Sequence, residues 1–237
     1  MIKPLPLYVI NLSQDIERWE SVLSETKDLG FTTHRINAVN YHELNMQDFV
    51  SPGVHAVWLS HIKAMQEFLT SDSEIAIIAE DDFHLIDKNE VFAKILALSE
   101  SKWDLVQLGF LKPGFDTRIK VSIANLDSII FKIVGLLSEI PLFSKFDFAS
   151  RMRVKQSLQT PAGFIIDDCQ PGAHFYIVKR DFCEKIINLN SPQFLSIDDF
   201  YTALSKMRTF KMLRVKRSLV SQKSFSAWSG SRFKREL

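Results

Sequence analysis

The chain has 237 residues, 46% of them hydrophobic and 24% charged, which predicts one large α/β domain or one domain with a substantial insertion. Its formal net charge of +1 gives no indication of a nucleic-acid partner, because any attraction to an anionic surface must come from local patches. The two cysteines, Cys169 and Cys183, are too few for a structural zinc site and form no disulfide framework, so we expect reduced thiols in a cytoplasmic protein.

We expect neither a signal peptide nor a membrane span. The apolar run within residues 1–12 is too short for either. Residues 119–143 are apolar but include four charged side chains, which argue against insertion into a bilayer. Basic residues within 206–217 and 232–235 suit peripheral contact with an anionic membrane at the cytoplasmic face, although a solvated strand and tail is the interpretation that we favour.

The first half of the chain alternates between strand and helix. Residues 7–12 predict a buried strand, residues 15–29 a helix and residues 31–39 a second strand. Residues 55–69 carry the apolar stripe of a helix. Residues 75–79 form a continuous apolar run, as expected for a central parallel strand that is covered on both faces. This order is typical of a mostly parallel sheet flanked by helices.

The second half is less regular. A helix at 88–99 and a strand at 103–108 continue the alternation, which is lost from 110 to 168. For 110–168 we predict a partly helical insertion or a lid-like segment that contacts an acceptor. Regular structure then resumes, and the elements that we predict are a strand at 174–178, a helix at 181–189, a helix from Ile197 and a strand within 211–220.

Three adjacent carboxylates, Glu80, Asp81 and Asp82, follow the apolar strand directly. In open parallel sheets, ligands bind beyond the carboxyl ends of the strands. Three neighbouring negative charges repel one another, and a cation with a preference for oxygen ligands, Mg²⁺ or Mn²⁺, explains their grouping best. Such an ion bridges a carboxylate and a diphosphate. The alternative is an acidic loop that caps the next helix.

Several further short blocks stand in a fixed order along the chain. They are Tyr8-Val9-Ile10-Asn11-Leu12 with Glu17-Arg18, Leu59-Ser60-His61, Ile77-Ile78-Ala79-Glu80-Asp81-Asp82, Gly172-Ala173-His174-Phe175-Tyr176-Ile177-Val178, Ser196-Ile197-Asp198, and Ser218-Leu219-Val220-Ser221-Gln222. In this order they resemble the blocks of glycosyltransferase family 25, the lipooligosaccharide galactosyltransferase-like family. Each block is short, and their shared order over most of the chain makes the resemblance specific.

The resemblance implies a GT-A-like, Rossmann-type fold in a single domain spanning 1–237. It also implies a UDP-sugar donor, usually UDP-galactose, together with Mn²⁺ or Mg²⁺. The acceptor would be an oligosaccharide or lipid-linked glycan of a bacterial surface, such as lipooligosaccharide, and the transfer would often invert the anomeric carbon. The implied activity is therefore that of a metal-dependent hexosyltransferase in lipopolysaccharide biosynthesis.

The metal and donor roles fall on residues at the ends of the first and third strands. We expect Asp82 to be the main metal ligand with Asp81 beside it, and Glu80 to bond the ribose or the backbone. Asn11 and Arg18 would hold the uracil, ribose or diphosphate, since the guanidinium fork suits phosphate. The alternative for Arg18 is an exposed helix residue.

The remaining candidate residues lie on predicted helices and on the last strand. The resemblance implies donor-site roles for Ser60 and His61, whereas a lone histidine on an amphipathic helix is more often structural. Asp198 and Asp199 are candidates for the general base that takes the proton of the acceptor hydroxyl. Residues 196–199 also look like a helix start, which would make these carboxylates caps. Gln222 would touch the donor or the acceptor.

Two other functions remain open from the sequence. The same carboxylates would serve a metal-dependent nuclease or nucleotidyltransferase, which predicts further acidic ligands on neighbouring strands. A catalytically degenerate relative would bind glycan or a protein partner without turnover, and 110–168 would be its interaction surface.

Overall fold

The computed structural model describes residues 4–44, 51–98, 101–111, 161–187, 189 and 195–223. The strands in chain order are β1 (Leu5–Asn11), β2 (Phe31–Asn37), β3 (Ile75–Glu80), β4 (Phe83–Leu85), β5 (Leu105–Gly109), β6 (Phe164–Ile166), β7 (Phe175–Lys179), β8 (Met212–Val215) and β9 (Val220–Gln222). The helices are α1 (Ile16–Thr26), α2 (Pro52–Leu69), α3 (Lys88–Ala97), α4 (Arg180–Ile186) and α5 (Ile197–Met207), with a single 3-10 turn at Tyr41–Glu43.

All nine described strands belong to one sheet, whose main path runs β2-β1-β3-β7-β5-β8-β6. β1 pairs in parallel with β2 and β3, and β5 pairs in parallel with β8 and β9. β7 is antiparallel to both of its neighbours, β3 and β5. β4 and β6 run antiparallel to β9 and β8. Consequently β1, β2, β3, β5, β8 and β9 share one direction, which confirms the predicted α/β class with a mostly parallel sheet flanked by helices.

The core lies on both faces of the sheet because its central strands are apolar throughout. In β3, Ala76 and Ile78 pack on one face with residues of α2, α4 and α5. The alternate residues Ile77 and Ala79 pack on the other face with residues of α1 and α3. Successive side chains of a strand point to opposite faces, so a strand covered on both sides must be apolar at every position. The continuous run at 75–79 therefore predicted this central strand correctly.

Some short strands differ from the sequence-based expectation. The predicted strand within 211–220 is two strands, β8 and β9, and residues 216–219 between them are not in either. β4 and β6 have three residues each, too few for an alternating pattern to show in the sequence. β6 lies near the end of the predicted insertion at 110–168 and pairs with β8, while residues 112–160 of that insertion lie outside the described residues.

Both cysteines are buried and free. Within the described ranges, none of the helices is both long enough and apolar enough to cross a bilayer. At one edge of the sheet, the carboxyl ends of β1, β2, β3 and β5 lie beside the amino end of the antiparallel β7. This edge is where the topology brings the predicted site residues of different strands together.

Candidate functional site

The carboxylate triplet stands at this edge, where β3 ends and the chain turns into β4. Glu80 is the last residue of β3, and its backbone N–H donates to the carbonyl of His174, just before β7, at 3.1 Å. Asp81 and Asp82 form the turn, and Phe83 then pairs with Gln222 of β9. The triplet is thus fixed between β7 on one side and the short β4–β9 ladder on the other, as expected for a strand-end site.

Asp81 is held by two side chains of the first βα unit. Its Oδ2 accepts from Asn11 Nδ2 at 2.6 Å, and its Oδ1 forms an ion pair with Arg18 Nη1 at 2.6 Å. Burial raises the pKa of Asp81, and the bond from Asn11 and the charge of Arg18 offset only part of this rise. Both oxygens of Asp81 are therefore already bonded within the protein, and its contacts suit an orienting role.

Asn11 and Arg18 hold the carboxylate of Asp81 through these two contacts. Both are buried, so the alternative of an exposed Arg18 is wrong. Arg18 is on α1, and Asn11 also accepts from Arg35 Nε at 2.8 Å. The predicted donor-binding residues thus join β1, β2 and α1 to the acidic turn. This link spans 63 residues of sequence in the case of Arg18 and Asp81.

Asp82 has a different environment from Asp81. Its side chain is buried, its Oδ1 has no hydrogen-bond partner among the described residues, and its Oδ2 lies 3.4 Å from Gln222 Nε2. Burial, together with the negative charges of Glu80 and Asp81, raises the pKa of Asp82 to about 7. A buried carboxylate oxygen without a partner is costly unless a ligand supplies one. Asp82 is therefore the residue of the triplet that is best suited to bind a cation.

The end of β9 is anchored close to Asp82. The Lys223 backbone N–H donates to the Asp82 carbonyl at 2.6 Å. The Lys223 ammonium reaches α1, where it bonds Ser21 at 2.8 Å and Glu25 at 3.0 Å. These bonds, with the β4–β9 pairing, place Gln222 beside the Asp82 carboxylate. The predicted site residue Gln222 is therefore brought to the acidic turn.

Glu80 faces a cavity on the other side of the triplet. Its side chain is 31% exposed, and its Oε1 lies 3.5 Å from Nε2 of the buried His61 on α2. Burial raises the pKa of Glu80, but the facing imidazole of His61 and the positive charge of Arg18 outweigh that effect and leave the pKa lowered. Glu80 is thus an ionised acceptor at the edge of the cavity.

The cavity has a volume of about 860 Å³, within the range of small-molecule sites. Its walls come from the loops that follow β1 and β2, the first three turns of α2 and the end of β3. Its lining includes Leu12, Val39, Tyr41, Ser60, His61 and Glu80. Ser60 shapes the wall, because its hydroxyl accepts from the Val39 N–H at 2.9 Å and donates to the Ala56 carbonyl at 2.7 Å. The predicted donor residues Ser60 and His61 therefore lie at a cavity.

Asp198 joins the same acidic cluster from the start of α5. Its Oδ1 accepts from the Ala173 N–H at 2.6 Å. Burial and the negative charge of Glu80 raise the pKa of Asp198 to about 6. The adjoining Gly172 has a φ of +111°, and a Cβ there would stand 2.8 Å from the Leu111 nitrogen. Glycine at this position lets the loop before β7 pack closely against the backbone of Leu111, just beyond β5.

Asp199 has the contacts of a helix cap. It is exposed, its N–H donates to the Ser196 hydroxyl at 3.1 Å, and its Oδ2 accepts from that hydroxyl at 2.8 Å. The Ser196 hydroxyl thus acts as the N-cap of α5, and Asp199 bonds that cap. Of the two neighbouring carboxylates, Asp198 is the one directed into the acidic cluster.

Three buried residues near this edge were not predicted as site residues from the sequence. Tyr176 and Tyr201 connect to His61 through hydrogen bonds, and His174 lies between Gly109 and Gly172, with no partner for its Nδ1 in the described part of the chain. Tyr176 and His174 belong to a block that was noted for its resemblance, but no spacing rule links that block to His61 on α2. Tyr201 follows Asp198 by one helical turn, which was the available signal.

The described residues hold no group of three or more His, Cys, Asp or Glu side chains that would bind a metal ion on their own. Asp82 and its neighbours nevertheless fit a hard cation, because Mg²⁺ is usually held by one or two carboxylates, with water and substrate phosphates completing the shell. The Asp82 Oδ1, which accepts no bond from the described residues, is the observation that supports this fit.

No family model matches this chain, and no curated protein matches it. Among solved structures, the fold resembles A197 from STIV, with 15% sequence identity and a TM-score of 0.43 over 93% of this chain and 85% of that chain. A likeness at this level carries no argument about function.

Proposed function

We propose that this protein is a glycosyltransferase that moves a sugar from a UDP-sugar to a glycan acceptor with the help of Mn²⁺ or Mg²⁺. One observation carries the proposal: a cavity of about 860 Å³ is lined by Glu80, two residues before a buried carboxylate, Asp82, whose Oδ1 has no partner among the described residues. A nucleotide sugar needs both features, a cavity for its nucleoside and a cation-binding carboxylate for its diphosphate.

The cavity would take the nucleoside. Leu12, Val39 and Tyr41 supply apolar and aromatic wall, and Glu80 supplies a carboxylate that accepts hydrogen bonds from ribose hydroxyls. The diphosphate would then point along the sheet edge from Glu80 towards Asp82. Asn11 and Arg18 would act by holding Asp81 rather than by touching the donor, since their side chains already bond that carboxylate.

Asp82 would hold the cation, and Asp81 would fix the turn that aims it. When bound, the ion neutralises negative charge on the departing diphosphate. Gln222, which lies 3.4 Å from Asp82, would restrain the carboxylate on its other side. The two adjacent aspartates would therefore have different roles, Asp82 as the cation ligand and Asp81 as the residue that fixes the turn, because their hydrogen-bond partners differ.

Asp198 would be the general base. A hydroxyl group of the acceptor sugar gives its proton to Asp198 while the hydroxyl oxygen attacks the anomeric carbon, and the bond to the nucleotide breaks on the opposite face, which inverts that carbon. A pKa near 6 suits a base that works near neutrality. The Ala173 N–H fixes the orientation of the carboxylate.

The resemblance to glycosyltransferase family 25 supports finer proposals. The donor would be UDP-galactose, and the acceptor would be a lipid-linked or lipooligosaccharide-type glycan of a bacterial surface. Basic side chains such as Lys216 and Arg217 would attract the protein to a membrane rich in anionic lipid, so that transfer would take place at the cytoplasmic face.

The test is a panel of UDP-sugars assayed for hydrolysis and for transfer to a glycan acceptor, with Mn²⁺ and with EDTA. We expect UDP-galactose to be turned over fastest and EDTA to remove the activity. Calorimetry with UDP and Mn²⁺ separates the competing function: measurable affinity without turnover of any donor would indicate a degenerate relative. Full activity in EDTA would contradict the role of Asp82, and the absence of UDP affinity would overturn the proposal.

A further inference from the structure

A buried chain of polar side chains runs from α5 through the sheet to the cavity. The Tyr201 hydroxyl donates to the Tyr176 hydroxyl at 3.2 Å, and the Tyr176 oxygen lies 2.7 Å from His61 Nδ1. The other ring nitrogen of His61, Nε2, faces Glu80 Oε1 at 3.5 Å. The chain therefore begins in the core and ends on the carboxylate that lines the cavity.

These side chains are too deeply buried to exchange their partners for water. Tyr201 is 2% exposed, Tyr176 is 1% exposed and His61 is fully buried. A buried polar group costs free energy unless it is hydrogen-bonded, and phenylalanine would fill the same space without that cost. The chain ends on a partly exposed carboxylate that lines the cavity.

The partners fix the direction of every proton in the chain. An ionised carboxylate only accepts, so His61 must present Nε2–H to Glu80 and keep Nδ1 as an acceptor. Nδ1 then accepts from the Tyr176 hydroxyl, whose oxygen accepts from Tyr201. Burial raises the pKa of both phenols well above the usual value, so that both keep their protons. Among the described residues, this arrangement gives both phenol protons an acceptor and directs the Nε2–H, which has no hydrogen-bond partner within that part of the chain, towards Glu80.

We propose that Tyr201, Tyr176 and His61 form a positioning relay that holds Glu80 as the acceptor for a ligand hydroxyl in the cavity. The distance of 3.5 Å between His61 Nε2 and Glu80 is longer than an ordinary hydrogen bond, and such contacts tighten when the ligand arrives. The relay keeps the Nε2 proton pointed at Glu80, which leaves the far side of the carboxylate for the ligand. The inference rests on the proposed function in one respect only, that the ligand hydroxyl belongs to the ribose of a nucleotide.

The first test concerns the histidine itself and needs no ligand. Nitrogen NMR of the full-length protein at neutral pH reports which ring nitrogen of His61 carries the proton. We expect the Nε2–H tautomer in the wild type and a mixture of tautomers in Tyr176→Phe, because Nδ1 then loses its donor. Tyr8→Phe is the matched control, since Tyr8 is a buried tyrosine on the same face of the sheet but outside the relay. A wild-type ring that carries its proton on Nδ1 would overturn the relay.

The second test measures what the relay does for binding. Calorimetry compares UDP with 2′,3′-dideoxy-UDP, both with Mn²⁺, and thermal melting checks that each variant is folded. We expect Tyr176→Phe to weaken UDP binding about fivefold, the effect of one hydrogen bond, and to leave dideoxy-UDP binding unchanged. Tyr201→Phe should weaken UDP binding about twofold, because it acts through Tyr176, and Tyr8→Phe should have no effect.

A pair of substitutions at His61 gives a further readout. The amide of His61→Gln still offers an N–H to Glu80, whereas His61→Leu offers none, so we expect UDP affinity to fall less in the glutamine variant. Equal losses for both nucleotides in Tyr176→Phe would reduce the chain to a structural role and contradict the inference. If the wild type does not bind UDP at all, the proposed function fails, and the tautomer of His61 still decides whether the relay exists.

Discussion

Two groups of carboxylates in this protein have opposite electrostatic environments. At the strand edge, the buried Asp82 and the half-buried Asp198 lie near Glu80, whose negative charge adds to desolvation in raising both pKa values. On the other side of β8, Asp168 bonds Lys206 and Arg214 at 2.6 Å each. Burial raises the pKa of Asp168 too, but the hydrogen bonds from these two cations outweigh it and leave the pKa lowered.

The comparison distinguishes a site from a structural ion-pair cluster. The charges of the Asp168 cluster compensate one another, so folding gains from them. The charges of Asp82 and Asp198 have no such cationic partners among the described residues, so folding loses by placing them beside Glu80, an arrangement typical of a ligand site. Substitutions at the strand edge should therefore change activity most, and substitutions in the ion-pair cluster should change stability alone.

Replacing Asp82 by Asn should have the largest effect. We expect the metal-dependent transfer rate to fall by about 10⁴-fold, since a catalytic cation contributes several kcal/mol to the transition state. The variant should also melt about 2–4 °C higher than the wild type at pH 8, as a gain of about 1 kcal/mol would give, because a buried and unpartnered charge is removed. Turnover assays and thermal melts check both effects. Asp72→Asn, at an exposed turn, is the control, and a lower melting temperature for Asp82→Asn would contradict the electrostatic comparison.

Replacing Asp198 by Asn should lower the transfer rate by about 10³-fold, a typical contribution of a general base. In the wild type, the rate should fall as the pH falls through about 6, where Asp198 gains its proton.

The raised pKa of Asp198 has the opposite consequence for the stability of the folded protein. The folded protein is favoured while Asp198 is protonated, and this contribution is lost as the pH rises from 3.8 to about 6. A pH–rate profile without an acidic limb near 6 would rule out Asp198 as the base.

Replacing Asp168 by Asn should affect stability and leave the chemistry intact. We expect the free energy of unfolding to fall by about 2 kcal/mol, since two cations lose a charged and half-buried partner. The melting temperature would fall by about 4–8 °C at neutral pH. Because the pKa of Asp168 is lowered, its stabilisation is present above the usual value of 3.8 and is lost as the pH falls through the folded value. Melting curves from pH 7 down to 3 test this, and unchanged turnover is the accompanying expectation.

The smallest effect should come from the helix cap beside Asp198. Ser196→Ala removes the capping hydroxyl of α5 and should cost about 1 kcal/mol in the free energy of unfolding. The variant Asp199→Asn should likewise lower stability slightly and keep the transfer rate within about twofold of the wild type, the scale of a weak surface interaction. Denaturant titrations and turnover assays distinguish the neighbours: a large loss of rate in Asp199→Asn would reverse the roles of Asp198 and Asp199.

The sequence predicted the main strands and helices because their patterns are local. The continuous apolar run at 75–79 required a strand covered on both faces, and the three acidic residues after it followed at the edge where ligands bind. The short strands β4 and β6 were not predicted, because three residues are too few to show an alternating pattern of apolar and polar side chains. The direction of β7 also escaped it, since an apolar run does not say whether a strand runs with or against its neighbours.

The different environments of Asp81 and Asp82 could not be predicted from adjacent identical residues. Arg18 and Asn11 reach Asp81 from the first βα unit, whereas the side chain that bonds the Asp82 carboxylate within the described ranges is Gln222. In the same way, the relay through Tyr176 depends on α2, β7 and α5 meeting on one face of the sheet. Such contacts join distant parts of the chain, so they arise only when the helices dock.

By itself, then, the sequence determined the α/β class and the acidic strand end, because periodicity and strand order act over neighbouring residues, and its resemblance to the blocks of a known family suggested the other candidate residues. Only the tertiary structure decided that Arg18 pairs with Asp81 and that Asp82 keeps an oxygen without a partner among the described residues. It also decided that Asp198, and not Asp199, lies near these carboxylates. The physical reason is that hydrogen-bond partners and burial are set by long-range packing, and these set the charge of each group.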